Sequence, residues 1–334
     1  MRLRSFLPTL LLALLLYAGC TQSAPSPPAQ TESVRPAQTQ SGLPLLTPMT
    51  GTGQLAPSTT KQFTFAVFGD NQGDQKSSEI ISRIFEAIRD YQPAKPMFAF
   101  CLGDIVKGKD ADDPAKYIQQ KYADYLDLAK KAGVPVFNAP GNHEMDDKDD
   151  IPSERMHQLY RDSVAPTYGA FNYGNSRFIA LNTEDVPPAG TPPPPNGIEF
   201  SYISDTQLQQ LDQDLAANKD KTHIFIMMHY PMKPKRQQDS LNPDSLKKLA
   251  DILAKYTNIS YVLASHEHLY YNPQDPGNTK TVTPFKAGDP TRYLVSGGAG
   301  AAIYVQSADG GFHHYLIIEV DGDSVLVKIN RMDS

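Results

Sequence analysis

Cysteine, tryptophan and surplus positive charge are scarce in this sequence. Its 334 residues include two cysteines and no tryptophan. Because Cys101 lies inside an apolar run and the other cysteine is Cys20, we expect no internal disulfide and interpret Cys101 as a small buried hydrophobic residue. The 31 basic residues are outnumbered by 37 acidic ones, which gives a formal net charge of −6. This balance offers no basis for bulk attraction to nucleic acid, and we expect no specific nucleic-acid binding.

A long hydrophobic run is also missing, even at the N-terminus. After Arg2 and Arg4, the apolar stretch Leu10–Leu16 is too short for a membrane span, which needs ~20 apolar residues. The stretch ends in YAGC, and residues 1–20 resemble a bacterial lipoprotein signal. We therefore expect cleavage before Cys20, acylation of its thiol, and an exported protein anchored to a bacterial membrane and facing the periplasm or cell exterior. An ordinary secretory signal and an uncleaved anchor are the alternatives.

Residues 21–60 lack both helical and strand periodicity. They are rich in Pro, Ser, Thr, Gln and Ala, a composition that buries too little apolar surface to offset chain entropy. We predict a disordered tether over residues 21–60 and a folded domain over residues 61–334.

Apolar strands alternate with amphipathic helices in this domain. The apolar residues of each helical segment recur with the spacing of one helix face. The second of the four predicted helices has Asp113 as its cap and Pro114 as its first residue, and it ends near Gly133. The predicted helices are Ser77 to Tyr91, Pro114 to about Gly133, Thr206 to Asn218, and one that starts at Asn242-Pro243.

Two hairpin signals add antiparallel pairs to the alternating pattern. Gly174-Asn175 and Asp321-Gly322 each lie between two apolar runs, as two-residue turns do. The fold class is therefore mixed α/β, with parallel βα units and antiparallel strands together. The proline-rich stretch 186–197 is interpreted as a long surface loop.

Polar side chains follow five apolar strands at the point where each strand ends. Since binding crevices of open α/β sheets lie outside the carboxyl ends of the strands, these side chains are expected to converge. Single residues of this kind are usually turn residues or helix caps, but five such ends favour one common site. The residues are Asp70; Asp104; Asn142, His143 and Glu144; His229; and His266 with His268.

Their chemistry indicates a metal centre. Carboxylate, amide and imidazole ligands together suit divalent Mn, Fe, Zn or Mg. His266 and His268 are separated by one residue, so in an extended segment both would face the same centre. So many ligands exceed the needs of one ion, and two ions ~3.5–4 Å apart fit better.

The motifs GDNQ, GDIV, GNHE, MMHYP and SHEH resemble, in this order, those of the calcineurin-like metallophosphoesterases. The resemblance covers residues 63–270 and is nearest to the purple-acid-phosphatase-like branch, to which FNYGNSRFIALNT, YISDTQLQQLDQDL and the glycine-rich stretch 295–301 are also similar. It implies a four-layer β-sandwich flanked by helices, with the metal site at the C-terminal strand ends.

The resemblance also implies roles for individual residues. Asp104 would bridge two divalent metal ions and serve the catalytic step, and His143 would be the catalytic histidine that contacts the phosphoryl group or protonates the leaving group. The first ion would be held by Asp70 and His268, and the second by Asn142, His229 and His266.

Three positions depart from the family pattern. Gln72 stands where the family usually has a histidine ligand, Lys107 stands where the purple-acid-phosphatase branch has a tyrosine, and Ser265 replaces a common glycine. Gln72 could be a weak metal ligand, could hydrogen-bond a bound water or the substrate phosphate, or could be a loop residue with no role. Each reading predicts a weaker first site, in which Mn or Mg becomes more plausible.

The implied function is hydrolysis of a phosphomonoester, phosphodiester or pyrophosphate link in a phosphorylated substrate. The alternative is a catalytically weak or inactive metal-binding surface protein on the same fold. The basic run 231–236 is interpreted as a solvated loop; if it faces the cleft, Lys233, Lys235 and Arg236 would attract an anionic substrate.

Overall fold

The apolar runs of the sequence form two six-stranded sheets in the computed structural model, which describes residues 45–72, 75–108, 114–147, 151–191 and 201–332. The first sheet has the strand order β3-β2-β1-β11-β12-β9, and the second has the order β4-β5-β6-β7-β10-β8. The strands are β1 (Gln62–Phe68), β2 (Ala99–Cys101), β3 (Val136–Asn138), β4 (Gly169–Tyr173), β5 (Ser176–Ala180), β6 (His223–Met227), β7 (Ile259–Ala264), β8 (Tyr270–Tyr271), β9 (Phe285–Lys286), β10 (Arg292–Ser296), β11 (His314–Asp321) and β12 (Ser324–Arg331).

Six α-helices accompany the strands in the described residues: α1 (Gln75–Asp90), α2 (Pro114–Ala129), α3 (Asn142–Met145), α4 (Glu154–Ser163), α5 (Asp205–Ala217) and α6 (Pro243–Leu253). The predicted helices are confirmed to within two residues at their starts. Pro114 opens α2 as predicted, and a 3₁₀ turn after α2 ends at Gly133, whose φ of 63° suits glycine. The Asn242 side chain accepts a hydrogen bond from the Ser245 amide and so caps α6.

Both predicted hairpins are present. Gly174 and Asn175 form the loop between β4 and β5, as predicted. In the second hairpin Asp321 pairs with Ser324, so the loop is one residue later than predicted, at Gly322 and Asp323. The register places Gly322, whose φ is 65°, at the position that requires a left-handed backbone.

Aromatic side chains fill the space between the two sheets. The Phe65 ring centroid lies 5.1 Å from those of Phe178 and Phe225, and the Phe98 and Phe178 centroids lie 5.0 Å apart. Phe65 and Phe98 belong to or flank strands of the first sheet, whereas Phe178 and Phe225 belong to the second. Helix α1 packs on the first sheet, and α5 and α6 pack on the second. The predicted four-layer sandwich is therefore confirmed.

The predicted tether boundary at residue 60 is wrong, because residues in the range 45–60 pack on the folded domain. Met49 is buried in the core that contains Phe65 and Phe98, and Leu46 is buried in the cluster formed by the second sheet with α5 and α6. The Thr52 amide donates a hydrogen bond to the Val136 carbonyl at 3.0 Å. The described chain thus packs on the sheets well before Lys61. A local polar and proline-rich composition does not reveal such contacts, because they depend on the sheets that the later sequence forms.

The signal and lipid-anchor predictions lie outside the described residues, as does the tether over 21–44, and they stay predictions. Within the described ranges, no helix combines the length and apolar character needed to cross a membrane. The predicted loop 186–197 is described only as far as residue 191, and that part is exposed or half-buried.

Strand direction brings the predicted site residues to one edge of the sandwich. β1, β2 and β3 are parallel neighbours, and Phe68 pairs with Cys101, which in turn pairs with Asn138. In the second sheet β6 and β7 are also parallel. The segments that follow these five strands therefore leave the sheets side by side.

Candidate metal centre

The turns that follow β1 and β2 are joined by backbone hydrogen bonds. The Asp70 amide donates to the Gly103 carbonyl at 3.1 Å, and the Gln72 amide donates to the Asp104 carbonyl at 2.9 Å. These bonds place Asp70 and Asp104 next to each other at the carboxyl ends of adjacent strands.

Backbone strain in the described chain is confined to predicted ligands. Its non-glycine residues with positive φ are Asp70 (59°), Asp104 (57°), His266 (72°) and His268 (52°). The left-handed region disfavours such residues, and strain of this kind concentrates at functional sites. Four strained residues in one site are a physical reason to assign it a function.

The prediction that residues 266–268 are extended is wrong. Both histidines have left-handed φ values, and their rings point to different groups. The Nδ1 atom of His266 lies 3.2 Å from Nε2 of His229, whereas Nε2 of His268 lies 3.1 Å from Nε2 of Gln72. The backbone thus delivers the two imidazoles to two neighbouring sets of side chains.

Asp70 is a buried carboxylate that lacks hydrogen bonds. Its exposure is 0%, and neither carboxylate oxygen has a hydrogen-bond partner in the described residues. Burial raises the pKa of Asp70, an effect that His268 and His229 partly offset. A carboxylate withdrawn from water without such partners is costly. A cation at this position would remove that cost.

Asp104 lies between two sets of side chains. The first set contains Asp70 and His268, and the second contains Asn142, His229 and His266. Its Oδ1 accepts a hydrogen bond from the His143 amide at 3.1 Å and lies 3.4 Å from Nε2 of His229. Its Oδ2 accepts a hydrogen bond from Gln72 at 3.0 Å. Burial opposes ionisation, but His229 and His143 hold the pKa of Asp104 well below its usual range. One oxygen of an ionised carboxylate therefore faces each set.

The set nearest Asp70 contains His268. One donor atom from each of Asp70, Asp104 and His268 lies within 4.8 Å of the others. The His268 Nδ1 atom lies 2.8 Å from the Ala302 carbonyl oxygen. Since that carbonyl can only accept, Nδ1 carries the proton, and the lone pair of Nε2 faces the set.

The other set contains Asn142, His229 and His266. Nε2 of His229 lies 2.9 Å from Oδ1 of Asn142 and 3.2 Å from Nδ1 of His266. Two donors that share an ion at 2.0–2.2 Å are separated by ~3 Å, so these spacings suit a common ion. Burial lowers the pKa of His229, but Asp104 raises it more, to about 9.

Contacts of Nδ1, on the side of the ring opposite Nε2, fix the orientation of His229. Its Nδ1 atom lies 3.0 Å from both the Leu102 carbonyl oxygen and the Ser265 hydroxyl oxygen. The Ser265 hydroxyl also donates to the same carbonyl at 2.8 Å. Ser265, which stands where the family commonly has glycine, thus contributes to the support that keeps Nε2 directed at the site.

Gln72 is 5% exposed and lies among the candidate ligands. Its Nε2 atom is 3.0 Å from Oδ2 of Asp104 and 3.1 Å from Nε2 of His268, while Oε1 has no hydrogen-bond partner in the described chain. Rotating the amide by half a turn would place its oxygen at those distances, because the oxygen and nitrogen of an amide are nearly equal in size. These contacts favour the two readings that give Gln72 a task.

Glu144 is a structural member of the site to which the sequence analysis gave no role. Its Oε2 accepts hydrogen bonds from the Asp104 and Gly141 amides, both at 2.8 Å, and Oε1 accepts one from the Val106 amide at 3.0 Å. Burial, with the added charge of Asp104, raises the pKa of Glu144 to about 8. The spacing of Gly141 and Glu144 matches a helix N-terminus, which is the signal that could have revealed this role.

Glu267, which lies between His266 and His268 in the sequence, also binds nearby backbone amides through its carboxylate. Its carboxylate accepts hydrogen bonds from the Lys235 and Arg236 amides, both at 2.7 Å, and burial raises its pKa to about 7. The Lys233 ammonium lies 4.1 Å from the Tyr293 ring centroid, and Lys235 pairs with Asp309 at 3.3 Å. These contacts do not support the suggestion that the basic run 231–236 faces the cleft.

A cavity of about 530 Å³ opens beside the first set. The side chains of Gln72, His143 and His268 line it together with Lys76 and Lys107. Nε2 of His143 lies 4.0 Å from Oδ2 of Asp104. The predicted catalytic histidine therefore lies between the candidate ligands and the cavity.

A family profile described as calcineurin-like phosphoesterase matches residues 63–270, which is more than half of the chain. The chain belongs to this family. The sequence prediction of the family is confirmed, and the ordered strand-end motifs fall inside the matched range.

One curated relative and two solved structures illustrate the likeness. The 3′,5′-cyclic adenosine monophosphate phosphodiesterase CpdA of Haemophilus influenzae is 24% identical over 184 residues, which span 54% of this chain and 58% of the relative. The match thus covers little more than half of either protein.

The two structures share the fold. Purple acid phosphatase PPD1 from yellow lupin seeds has a TM-score of 0.57 at 16% identity, over 83% of this chain and 52% of that one. A dimetal phosphatase from Danio rerio has a TM-score of 0.55 at 16% identity, over 80% and 96% of the two chains.

Replacing Asp70 by Asn should stabilise the metal-free protein by about 1 kcal/mol, because it removes a buried charge without hydrogen bonds. The same change should reduce the number of divalent ions bound. Urea unfolding in chelator and metal analysis by mass spectrometry measure the two effects. Asp127→Asn, at an exposed aspartate of α2, is the control; equal behaviour of the two variants would contradict the assignment.

Replacing Gln72 by His should tighten binding of the ion nearest Asp70, because an imidazole is a stronger ligand than an amide. Gln72→Ala should weaken it by roughly 10–100-fold, the usual effect of removing a group that supports a metal site. Competition with a chelator of known affinity gives both values. Gln75→His, at the exposed start of α1, is the control. Unchanged affinity in Gln72→Ala would show that Gln72 does not contribute to binding of this ion.

Proposed function

We propose that this protein is a metal-dependent phosphoesterase that hydrolyses a phosphomonoester, phosphodiester or pyrophosphate link. The observation that carries the proposal is the carboxylate of Asp70, which is fully buried, lacks hydrogen bonds in the described chain and lies beside Asp104 and His268. Family membership supports the same reaction class.

The donor set fits two divalent ions. Asp70, His268 and Gln72 would hold the first, Asn142, His229 and His266 the second, and Asp104 would be shared. Ions bound there would lower the pKa of water and offset charge on the phosphoryl oxygens. The donors favour different ions in the two sets: an amide oxygen of Gln72 in the first set would favour Mn or Mg there, while imidazoles in the second set would also suit Zn or Fe.

His143 would hold and deliver the proton that the leaving alkoxide needs. Its backbone is fixed by the hydrogen bond to Asp104, and its ring lines the cavity into which an ester group would extend. An imidazole can exchange a proton near neutral pH, which suits general acid catalysis. The phosphoryl group would therefore lie at the metal centre within reach of His143, with the ester group in the cavity.

A metal-binding surface protein without turnover is the second candidate. The observation that favours it is the Gln72 amide. Its N–H group is directed at Asp104 and His268, so in this orientation the side chain does not offer its oxygen to an ion. A chelator-resistant ion together with no hydrolysis of any ester would support this candidate over the enzyme.

Removing divalent ions should abolish hydrolysis of p-nitrophenyl phosphate and bis-p-nitrophenyl phosphate, and Mn, Mg, Zn or Fe should restore it. The name of the CpdA relative makes a cyclic nucleotide a third ester to test. Asp104→Asn should lower kcat/KM by roughly 10³-fold or more, since a shared carboxylate positions both ions. Asp251→Asn, on the exposed face of α6, is the control. Full activity in Asp104→Asn would overturn the proposal.

Replacing His143 by Ala should lower kcat by about 10²–10⁴-fold for an alkyl ester, which needs a proton on its leaving group. The loss should be much smaller for a p-nitrophenyl ester, whose leaving group departs unprotonated. His313→Gln, which alters another cavity imidazole, should show no such dependence on the leaving group. An equal loss with both esters in His143→Ala would contradict proton donation.

A further inference from the structure

An exposed aromatic ring borders the cavity beside the candidate metal centre. Tyr304 is 68% exposed, which makes it the most exposed large apolar side chain in the described residues, ahead of Met97 at 43%. Its ring stacks on that of His268, with centroids 5.3 Å apart and planes inclined by 20°. One face of Tyr304 therefore covers a candidate ligand, and the high exposure leaves surface of the ring open to a further group.

The segment that carries Tyr304 is attached to the site by its backbone. The Ala299 amide donates to the Gly69 carbonyl at 3.0 Å, and the Ala301 amide donates to the Asp70 carbonyl at 2.9 Å. The Ala302 carbonyl accepts the hydrogen bond from His268. Three contacts within residues 299–302 thus attach the chain that leads to Tyr304 to the turn that carries Asp70 and to His268.

The remaining lining of the cavity combines apolar and cationic side chains. Ala301, Ala302 and Ile303 continue the surface of Tyr304, and Ile80 adds to it, while Lys76 and Lys107 provide positive charge. No carboxylate is among the described residues that line the cavity. At about 530 Å³ it has the size of a small-molecule site and exceeds what a phosphoryl group alone requires.

We propose that this cavity binds a planar aromatic group of the substrate, as in an aryl or nucleoside phosphate ester, with the ring stacked on Tyr304. The inference rests on the proposed function, because it places the phosphoryl group at the metal centre and the ester group in the cavity. Stacking on an exposed tyrosine favours flat π systems over aliphatic groups of equal size. The alternative aromatic partner, a quaternary ammonium group, is disfavoured by the two lysines and the absence of a carboxylate from the described lining.

Two phosphonates of matched size separate stacking from simple apolar burial. Isothermal titration with phenylphosphonate and cyclohexylphosphonate, in the presence of Mn²⁺, should show about tenfold tighter binding of the phenyl compound to the wild-type protein. Tyr304→Phe should keep this preference, because it keeps the ring. Tyr304→Leu should bring the ratio of the two dissociation constants close to one.

Equal affinities in the wild-type protein, an unchanged ratio in Tyr304→Leu, or tighter binding of the phosphonate analogue of phosphocholine than of phenylphosphonate would each overturn the inference. Its failure is distinct from failure of the proposed function. Hydrolysis of esters without a preference for aromatic groups would leave the phosphoesterase and remove the aromatic subsite. Phenylphosphonate binding that depends on Tyr304, without hydrolysis of any ester, would support the subsite and contradict the enzyme.

Discussion

The burial of two carboxylates at neighbouring strand ends is the constraint on which the site depends. Asp70 and Asp104 are 0% and 1% exposed, and the charge of Asp104 adds to the burial that raises the pKa of Asp70. Such an arrangement costs folding energy unless positive charge compensates it. Imidazoles provide part of that charge, and divalent ions would provide the rest. The strained backbone at four of the candidate ligands adds a second free-energy cost of folding at the same site.

The surrounding chain leaves room for these carboxylates and fixes the direction of their partners. A Cβ atom at Gly297 would lie 2.1 Å from Oδ2 of Asp70, and one at Gly141 would lie 2.2 Å from Oδ1 of Asp104. Only glycine permits this approach. The Leu102 and Ala302 carbonyls orient two of the imidazoles. Close backbone approach thus restricts both carboxylates and two of the imidazoles, which suits a site that must hold ions in fixed positions.

Much of the fold and the site could be predicted because local sequence patterns carry the information. Apolar runs that end in polar residues locate the strand ends, and the parallel order of β1, β2 and β3 brings those ends together. The left-handed backbone at His266 could not be predicted, since it depends on contacts with other strands. The spacing of Gly141 and Glu144 could have indicated the role of Glu144, but the burial of residues 45–60 and the position of Tyr304 could not be predicted either. Each depends on residues distant in sequence.

The most direct test of the central claim is anomalous diffraction from crystals of the Mn²⁺-loaded protein. Two anomalous peaks ~3.5–4 Å apart are predicted. One should lie beside Asp70 and His268, the other beside Asn142, His229 and His266, with Asp104 in contact with both. No peak at these residues, or ions bound only elsewhere on the protein, would contradict the claim that the buried carboxylates form a metal centre.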